Sequence, residues 1–401
     1  MSSGAAVSRV GALERRYLSG TFAELCRIES PSGRERRCAE RVIAELRALG
    51  VDVQEDDAGA RGGSGCGNLL ARIPAAERAG QLPPGAGAGR SLLLCAHLDT
   101  VPAAAPIEPV LVDGFWENAN EGILGADNKA AVAVLLALAR HVSSGEGTPV
   151  DIELLFTVAE ETALAGAREF DVSRLHSEFG YVFDHASPIG EVVVAAPSHF
   201  RVEASFRGIA AHAGIRPEEG RSAILAAARA VTAIPLGRID PQTTVNVGTI
   251  SGGSAMNVVA EQCTLLAEVR SLEDARAEAL VAEIIDRVHE AANLPDCDCD
   301  VDLSVQRSCS GYRLPASAPV VRVAEAALAD CGHEPILIAS GGASDASALI
   351  ARGLPTVNLA NGTEHNHEPD ECVSVAALEE MLDVALALLE HAATVPPASA
   401  R

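Results

Sequence analysis

The sequence predicts an α/β protein in which a mainly parallel sheet carries an inserted α+β domain. Apolar strand-like runs alternate with helical stretches in the first part of the chain, which favours parallel strands joined by crossover helices. Between about residues 198 and 306 the pattern changes to alternating strands with two amphipathic helices, and the first pattern then resumes. The chain has 401 residues, of which 48% are hydrophobic, so it is long enough for two or three domains.

The elements before the insert follow from periodicity and turn residues. Helical patterns cover residues 22–28 and 35–50, and Gly50 is placed to end the second helix. Strand-like runs follow at residues 51–57, 68–74 and 91–102. A segment rich in Pro, Gly and Ala at 81–90 separates the last two runs and is predicted to be a flexible surface loop.

The later elements complete one discontinuous domain and the domain inserted into it. Residues 128–142 are apolar enough to form a buried crossover helix. The other predicted elements are strands at 150–161, 180–184, 199–208, 243–272 and 355–360 and helices at 164–170, 218–234, 272–294, 318–332 and 375–392. We therefore expect one domain from residues 1–197 and 307–401, and a second from residues 198–306, which is long enough to fold by itself.

The charge and the apolar runs argue against several classes of function. The net charge of −24 repels phosphate backbones and anionic lipid head groups, so neither nucleic acid nor a membrane surface is expected as a partner. The longest purely apolar run, at residues 130–139, is well short of the ~20 residues that a spanning helix needs. The first residues lack the apolar core of a secretory signal, so we expect the protein in the cytoplasm.

Ten cysteines are scattered along the chain. Without a secretory signal, reduced thiols are a better expectation than disulfides. Cys297 and Cys299 are separated by one residue, which is not the spacing of a structural zinc site. We predict that this pair lies in a loop, with a metal or redox role as the alternative.

His97 and Asp99 follow an apolar strand whose carboxyl end is where open α/β sheets place their sites. Two residues apart on a strand, their side chains would point to the same side. Asp99 could then accept the proton on one ring nitrogen of His97 and leave the other nitrogen for a metal ion. For this pair alone, an ordinary histidine at a strand end is the better interpretation.

More acidic and histidine residues follow later strands. Asp127 begins a helix, where capping of backbone N–H groups is the ordinary explanation. Glu160 and Glu161 are adjacent acids at a predicted strand end, where they would face opposite ways, one toward a metal ion and the other toward a water. The remaining candidates are Asp184, which closes the strand at 180–184, and His367 and Glu371, which lie in the loop after the strand at 355–360. Each acid alone is an ordinary surface charge, but together they form a nitrogen and oxygen set suited to Zn²⁺ or a similar ion.

Short motifs in this order resemble those of the co-catalytic zinc superfamily of aminoacylases, glutamate carboxypeptidases and peptidase T. They are HLDTVP at 97–102, GILGADNKAA at 122–131, TVAEE at 157–161, YVFD at 181–184, HAG at 212–214 and SGGASDAS at 340–347. The resemblance extends from about residue 18 to the final helix. GADNKAA and SGGASDAS are most similar to the peptidase T-like branch.

The resemblance implies a role for each matching position. The implied metal ligands are Asp127 as a bridge, His97 and Asp184 on one ion, and Glu161 and His367 on the other. Glu160 would be the general base, and Asp99 would orient His97. His367 is preferred to His365 as the ligand because Glu371, four residues on, reproduces the family's spacing.

Other implied roles concern the substrate and the second domain. Residues 198–306 would be a lid and dimerisation domain, and the protein would be a homodimer through it. His212 would reach the active site of the other subunit and stabilise the oxyanion. The implied substrate-binding residues are Asn257, Arg270, Gly341, Gly342 and Asp345.

The resemblance also implies an activity. The protein would be a metal-dependent hydrolase that cleaves amide bonds of small peptides, like an aminopeptidase or tripeptidase, with two Zn²⁺ ions or with Co²⁺ or Mn²⁺ in their place. An N-acyl amino acid deacylase or a carboxypeptidase could use the same site. From another class, a non-catalytic metal-binding dimeric protein is the alternative.

Overall fold

The structure is a computed structural model, which describes residues 9–76 and 90–395. The surface loop predicted at 81–90 lies outside the described residues except for its last position. The described α-helices are α1 (Ala12–Cys26), α2 (Arg36–Ala48), α3 (Ala58–Gly62), α4 (Ala126–His141), α5 (Ala165–Glu169), α6 (Ala223–Ala233), α7 (Asp274–Ala292), α8 (Pro319–Asp330), α9 (Asp345–Ala351) and α10 (Val375–Ala392).

The described strands are mostly short. They are β1 (Val53–Glu55), β2 (Leu69–Ile73), β3 (Ser91–His97), β4 (Pro109–Val112), β5 (Phe115–Asn118), β6 (Asp151–Thr157), β7 (Gly180–His185), β8 (Glu191–Ala196), β9 (Ser198–Arg207), β10 (Gly237–Asp240), β11 (Thr243–Gly252), β12 (Gln262–Ser271), β13 (Asp300–Cys309), β14 (Tyr312–Arg313), β15 (Ile336–Ala339), β16 (Thr356–Ala360), β17 (Thr363–Glu364) and β18 (Cys372–Ser374).

The chain divides into two compact units. The first comprises Met1–Val194, Leu314–Ala339 and Ser344–Arg401. The second comprises Ala195–Arg313 and Ser340–Ala343. The second unit is therefore formed mainly by one continuous segment, to which four residues from a later loop are added.

The first unit is built on a mixed, mainly parallel sheet. Its strands run in the order β1-β2-β6-β3-β7-β16-β8, and β15 pairs with β8. The central strands β6, β3, β7 and β16 are parallel to one another, whereas β1, β2 and β8 pair antiparallel at the two sides. The first unit also contains a smaller sheet, with its strands in the order β17-β18-β5-β4.

Helices cover both faces of this sheet, and this explains why β3 is apolar from Leu92 to Ala96. Leu92, Leu94 and Ala96 belong to the large core that also contains α1, α4 and α10. Leu93 and Cys95 point to the opposite face, where they pack in a smaller core with residues of α9. A strand buried on both faces needs apolar residues at every position, as is typical of parallel sheets.

Helix α4 is the crossover helix that the apolar run predicts. Every residue from Ala126 to Ala139 is buried. The helix packs against β3 and β7 on the sheet and against α1 and α10. Because it is enclosed from several sides, it needs no polar face.

The second unit contains an antiparallel sheet in the order β10-β11-β12-β9-β13. Its helices α6 and α7 pack on one face. Residues of β9 alternate between buried and more exposed along the strand, which is the pattern of a sheet covered on one face only. The two units together confirm the predicted fold class.

Several predicted boundaries are wrong. The first helix begins at Ala12 rather than near residue 22. Strand β3 ends at His97, so Asp99 is not on the strand as predicted, and β6 ends at Thr157, so Glu160 and Glu161 lie in a turn beyond it. The expectation that the two acids face opposite ways on a strand therefore does not apply. Beyond the end of β6 the backbone pairs with side chains instead of a neighbouring strand. Asn68, for example, accepts the N–H of Val158.

Two sequence features outside the sheets can also be compared with the structure. Cys297 and Cys299 lie in a loop, as predicted, and both are free thiols buried in the second unit. In the part of the chain that the structure describes, no helix combines the length and the apolar character needed to cross a lipid bilayer.

Candidate metal centre

The candidate site lies at the carboxyl edge of the central sheet. Strands β6, β3, β7 and β16 are adjacent and parallel, so the segments that follow them meet at one edge. His97 is the last residue of β3, and Asp184 is near the end of β7. The turn after β6 supplies the two glutamates, and a loop beyond β16 supplies His367. Asp127 comes from the start of α4.

One group of side chains surrounds the buried ring of His97. Its Nε2 atom is 3.1 Å from Asp127 Oδ1 and 3.4 Å from Asp184 Oδ1. The ligand atoms of these three residues all lie within 4.8 Å of one another. They form a compact set of one nitrogen and two carboxylates that could hold a divalent cation.

A second group of side chains lies beside the other carboxylate oxygen of Asp127, Oδ2. His367 Nε2 is 3.2 Å from Asp127 Oδ2 and 2.8 Å from Glu161 Oε1. Asp127 therefore presents one oxygen to each group, which is the arrangement of a carboxylate that bridges two metal ions. Both groups fit the nitrogen and carboxylate donors that Zn²⁺ takes in proteins.

His365, the alternative ligand, points elsewhere. Its Nδ1 atom is 3.6 Å from Asp370 Oδ2, within an exposed group that also includes Glu368. The structure thus places His367, and not His365, beside Glu161 and Asp127. Exposed acidic groups of this kind are common without a bound ion.

Asp99 supports both the histidine and the turn that carries the acids. His97 Nδ1 donates to the backbone oxygen of Asp99 at 2.9 Å, while the nearer carboxylate oxygen lies at 3.4 Å. The Asp99 carboxylate accepts the backbone N–H groups of Glu160 and Glu161 at 2.9 and 3.1 Å, and the hydroxyl of Ser32 at 2.7 Å. The predicted orienting role thus involves the main chain of Asp99, and the sequence did not indicate its bonds to the turn.

Glu160 is half-buried and lies close to the first group. Its carboxylate, that of Glu161 and the His97 ring offer ligand atoms within 4.8 Å of one another. Burial, and secondarily the nearby Asp184 charge, raise the pKa of Glu160 well above its ordinary value. A carboxylate with a high proton affinity in this place could accept a proton from a water.

Concentrated negative charge perturbs the ligands themselves. Burial and the Asp127 charge raise the pKa of Asp184 to about 8. Burial alone would lower the pKa of His97, but the Asp184 charge and hydrogen bonds to neighbouring carboxylates raise it well above its usual value. Hydrogen bonds to Asp127 and Glu161 raise the pKa of His367 to about 10. These groups therefore bind protons more tightly than free side chains do, at positions that divalent cations could take.

Two residues that the sequence did not single out for this role position Asp127. Glu371 is buried and accepts the backbone N–H groups of Gly125 and Asp127 at 2.7 and 2.8 Å. Asn366 donates its side-chain amide to Asp127 Oδ2 at 2.9 Å. The spacing of four residues between His367 and Glu371 was a visible signal, but it could not reveal which groups Glu371 would contact.

The predicted substrate residues lie in both units. Asp345 is buried at the start of α9, where Oδ2 accepts a hydrogen bond from Thr157, and among the described residues Oδ1 has no hydrogen-bond partner. In the second unit, Arg270 pairs with Glu268 at 3.1 Å and donates to the backbone oxygen of Gly341 at 3.3 Å. Gly342 is half-buried next to Gly341.

His212 and Asn257 are exposed neighbours within the second unit. The backbone N–H of Ala213 donates to Asn257 O at 2.9 Å. Gly214 N–H donates to His212 Nδ1 at 3.2 Å, so in the neutral ring the proton belongs on Nε2. His212 can therefore act as a hydrogen-bond donor through Nε2.

Comparisons with known proteins extend over nearly the whole chain. A family model described as "Peptidase dimerisation domain" matches residues 195–294, and one described as "Peptidase family M28" matches residues 79–184. The Uncharacterized protein YqjE of Bacillus subtilis (strain 168) is 34% identical over 380 residues, which are 95% of this chain and 99% of that protein.

Solved structures are also similar over nearly the whole chain. The aminopeptidase PepT from Bacillus cereus ATCC 10987 shares 35% identity with a TM-score of 0.83, covering 95% of this chain and 99% of its own. A tripeptidase from Staphylococcus aureus subsp. aureus mu50 shares 31% identity with a TM-score of 0.86, covering 94% of this chain and 98% of its own. The similarity thus includes both units.

Proposed function

The chain belongs to the M20/M28 peptidase family, in its peptidase T-like branch, and from this premise we propose that it hydrolyses amide bonds of small peptides at a site with two metal ions. The observation that carries the proposal is the placement of Asp127. Its two oxygens each face a separate group of nitrogen and oxygen donors, with His97 and Asp184 on one side and Glu161 and His367 on the other.

The ligand set favours two Zn²⁺ ions, with Co²⁺ or Mn²⁺ as other ions of suitable chemistry. When bound, such ions polarise a scissile carbonyl and lower the pKa of a water toward about 7. His97, Asp184, Glu161 and His367 would hold them, with Asp127 between. Glu371 and Asn366 would keep the Asp127 carboxylate in place through the contacts described above.

Glu160 would act as the general base. It takes a proton from the attacking water, whose oxygen forms the new bond to the carbonyl carbon, and delivers a proton to the leaving amine nitrogen. Its place beside the ligand atoms of His97 and Glu161 supports this role. Asp99 fixes the backbone of the turn on which Glu160 stands.

The second unit would supply groups that act on the substrate. We propose that the protein is a homodimer through this unit, which the dimerisation-domain match supports. His212 of one subunit would donate Nε2–H to the carbonyl oxygen in the site of the other, where negative charge develops. Asn257, Arg270 and the loop at 341–345 would bind backbone or carboxylate groups of the substrate.

A substrate panel tests the activity. Metal-loaded protein is assayed with dipeptides, tripeptides, N-acyl amino acids and peptides blocked at either end, each before and after chelation. We expect metal-dependent release of the amino-terminal residue from short peptides with a free amino group. Preference for N-acyl amino acids would instead indicate a deacylase, preference for a free carboxylate a carboxypeptidase, and no turnover a non-catalytic metal-binding protein.

A further inference from the structure

The turn that carries Glu160 has its backbone fixed by side chains from distant segments. Four consecutive N–H groups donate to such side chains: Val158 to Asn68 at 3.1 Å, Ala159 to Glu35 at 3.1 Å, and Glu160 and Glu161 to Asp99 at 2.9 and 3.1 Å. These acceptors lie before α2, before β2 and after β3. All four backbone N–H groups therefore donate to side chains and not to a neighbouring strand.

The carbonyl groups of the same segment are paired with the returning arm of the turn. Leu164 N–H donates to Glu160 O at 2.8 Å, Ala165 N–H to Ala159 O at 3.0 Å, and Gly166 N–H to Val158 O at 3.0 Å. The backbone is therefore held on both sides. The side chains of Glu160 and Glu161 extend from this backbone and offer ligand atoms within 4.8 Å of that of His97.

Like Ala163 and Leu164 farther along the turn, Ala159 has a positive φ angle. Its φ angle is +52°, in the left-handed region that residues with a Cβ atom rarely adopt. Such a conformation persists only where surrounding contacts enforce it. Because Ala159 directly precedes Glu160, its conformation sets the direction in which the Glu160 side chain leaves the backbone.

Glu35 is the side chain that holds Ala159. It is fully buried and accepts three hydrogen bonds: Gly33 N–H at 2.9 Å and Ala159 N–H at 3.1 Å on Oε1, and the Ser64 hydroxyl at 2.6 Å on Oε2. Within the described residues no salt bridge involves Glu35. A buried acidic side chain without a cationic partner is costly, so its hydrogen bonds must compensate.

We propose that Glu35 is a positioning residue for the general base. By accepting the N–H of Ala159 it fixes the backbone before Glu160 and so aims the Glu160 carboxylate. This inference rests on the proposed function, in which Glu160 is the base. Misplacement of a catalytic group by ~1 Å can cost up to ~100-fold in rate, so a lost anchor should be visible in turnover.

The first test changes the reach of Glu35. Glu35→Asp removes one methylene and cannot span from Ser64 to Gly33 and Ala159 at once. Glu35→Gln keeps the reach, because its carbonyl oxygen can accept both N–H groups while its amide donates to the Ser64 oxygen. For Glu35→Asp we expect kcat to fall about tenfold with KM and bound metal unchanged, and for Glu35→Gln we expect kcat within about threefold of wild type.

Glu153→Asp is the matched control. Glu153 is also buried, near the end of β6 that is away from the turn, and accepts the N–H groups of His176 and Ser177 at 2.9 Å each; unlike Glu35, it also pairs with Arg72 at 2.9 Å. We expect this variant to lower Tm and leave kcat unchanged. If Glu35→Asp lowers Tm as Glu153→Asp does but keeps wild-type kcat, Glu35 is only structural and the proposal is overturned.

Two further measurements test whether Glu35 positions the turn, even if Glu35→Asp does not fold. If Glu35→Asp does not fold, Ser64→Ala removes the bond on Oε2 and leaves Glu35 in place; a reduced kcat at unchanged KM supports the proposal, and an unchanged kcat contradicts it. Amide hydrogen exchange at residues 158–161 should be faster in Glu35→Asp than in Glu153→Asp, and equal rates contradict the anchoring. If wild-type protein hydrolyses no amide substrate, the proposed function fails, and the exchange data alone decide whether Glu35 anchors the turn.

Discussion

At the scale of single residues, the Asp127 carboxylate and its backbone are held by other side chains: Glu371 accepts the N–H of Asp127, and Asn366 donates to Asp127 Oδ2. His97, Asp127 and Asp184 could be listed from strand ends and from the motifs around them. The supporting contacts could not be, because Glu371 and Asn366 reach Asp127 from a loop more than 200 residues away in the chain. Such contacts depend on tertiary structure, which no local pattern encodes.

Removing the proposed base should stop turnover without releasing metal. Glu160 makes no contact that holds another ligand side chain in the described residues, so Glu160→Gln should lower kcat by about 10²–10⁴-fold while metal content stays at the wild-type value. Steady-state kinetics and elemental analysis of the same sample measure both. Glu178→Gln, an exposed acid at the opposite end of β7 from Asp184, is the control and should retain full activity.

Weakening the support of Asp127 should weaken metal binding. In Glu371→Gln, one carboxylate oxygen becomes an NH₂ group, which cannot accept the N–H of Gly125 or Asp127. Loss of a contact that orients a metal ligand typically costs 10–100-fold in affinity, and we expect a decrease of about that size. Competition with a chelator measures it, and an affinity equal to that of wild type would argue against this role.

At the scale of elements, the sequence predicted strands and helices well where one pattern continues over many residues. Strand β3 from Leu92 to Ala96 and helix α4 from Ala130 to Ala139 are apolar because both are enclosed, and this is visible in the sequence. The ends of β3 and β6 were predicted too late. At the end of β6 the backbone N–H groups donate to side chains such as Asn68 and Asp99, which lie far away in the sequence. Beyond β3, Thr100 donates its N–H to the backbone oxygen of Ser30, in an equally distant segment.

The turn after β6 should tolerate no added side chain at Gly166. A Cβ atom there would lie 2.1 Å from Val158 O and 2.6 Å from Asn68 Oδ1, so the turn could not close as it does. We expect Gly166→Ala to lower the free energy of unfolding by about 1–3 kcal/mol. Gly20→Ala is the control, because its Cβ in α1 would meet open space, and it should leave stability unchanged or raise it. Denaturant unfolding of both variants provides the comparison.

At the scale of the whole molecule, metal binding depends on pH because protons and metal ions compete for the same side chains. In the metal-free protein the pKa values of His97 and His367 are raised above the ordinary histidine value, and that of Asp184 is raised to about 8, so these groups hold protons more tightly than free side chains do. A metal ion binds their deprotonated forms. Metal affinity should therefore fall as pH falls.

Proton release on metal binding is the direct measure of this linkage. At pH 7 we expect at least one proton to leave per chain when both ions bind, because the ions take the deprotonated forms of these groups. Titration calorimetry in two buffers with different ionisation enthalpies gives the number of protons. Equal heats in both buffers would show that no protons leave and would contradict the assigned ligands.

The homodimer proposal predicts complementation between two inactive variants. In a mixed dimer of His212→Ala and Glu160→Ala, one site contains Glu160 from its own subunit and His212 from the partner copy. After random subunit exchange about a quarter of the sites should recover activity. If His212 acts within its own subunit, the mixture stays as inactive as its components, and unfolding with refolding of the mixture controls for incomplete exchange.

The most direct test of the central claim is anomalous diffraction from crystals grown with Zn²⁺, recorded on both sides of the zinc absorption edge. We expect two anomalous peaks, about 3.5–4 Å apart, with the Asp127 carboxylate between them, one next to His97 and Asp184 and the other next to Glu161 and His367. A single peak, or peaks away from Asp127, would contradict the two-metal site on which the proposed hydrolysis depends.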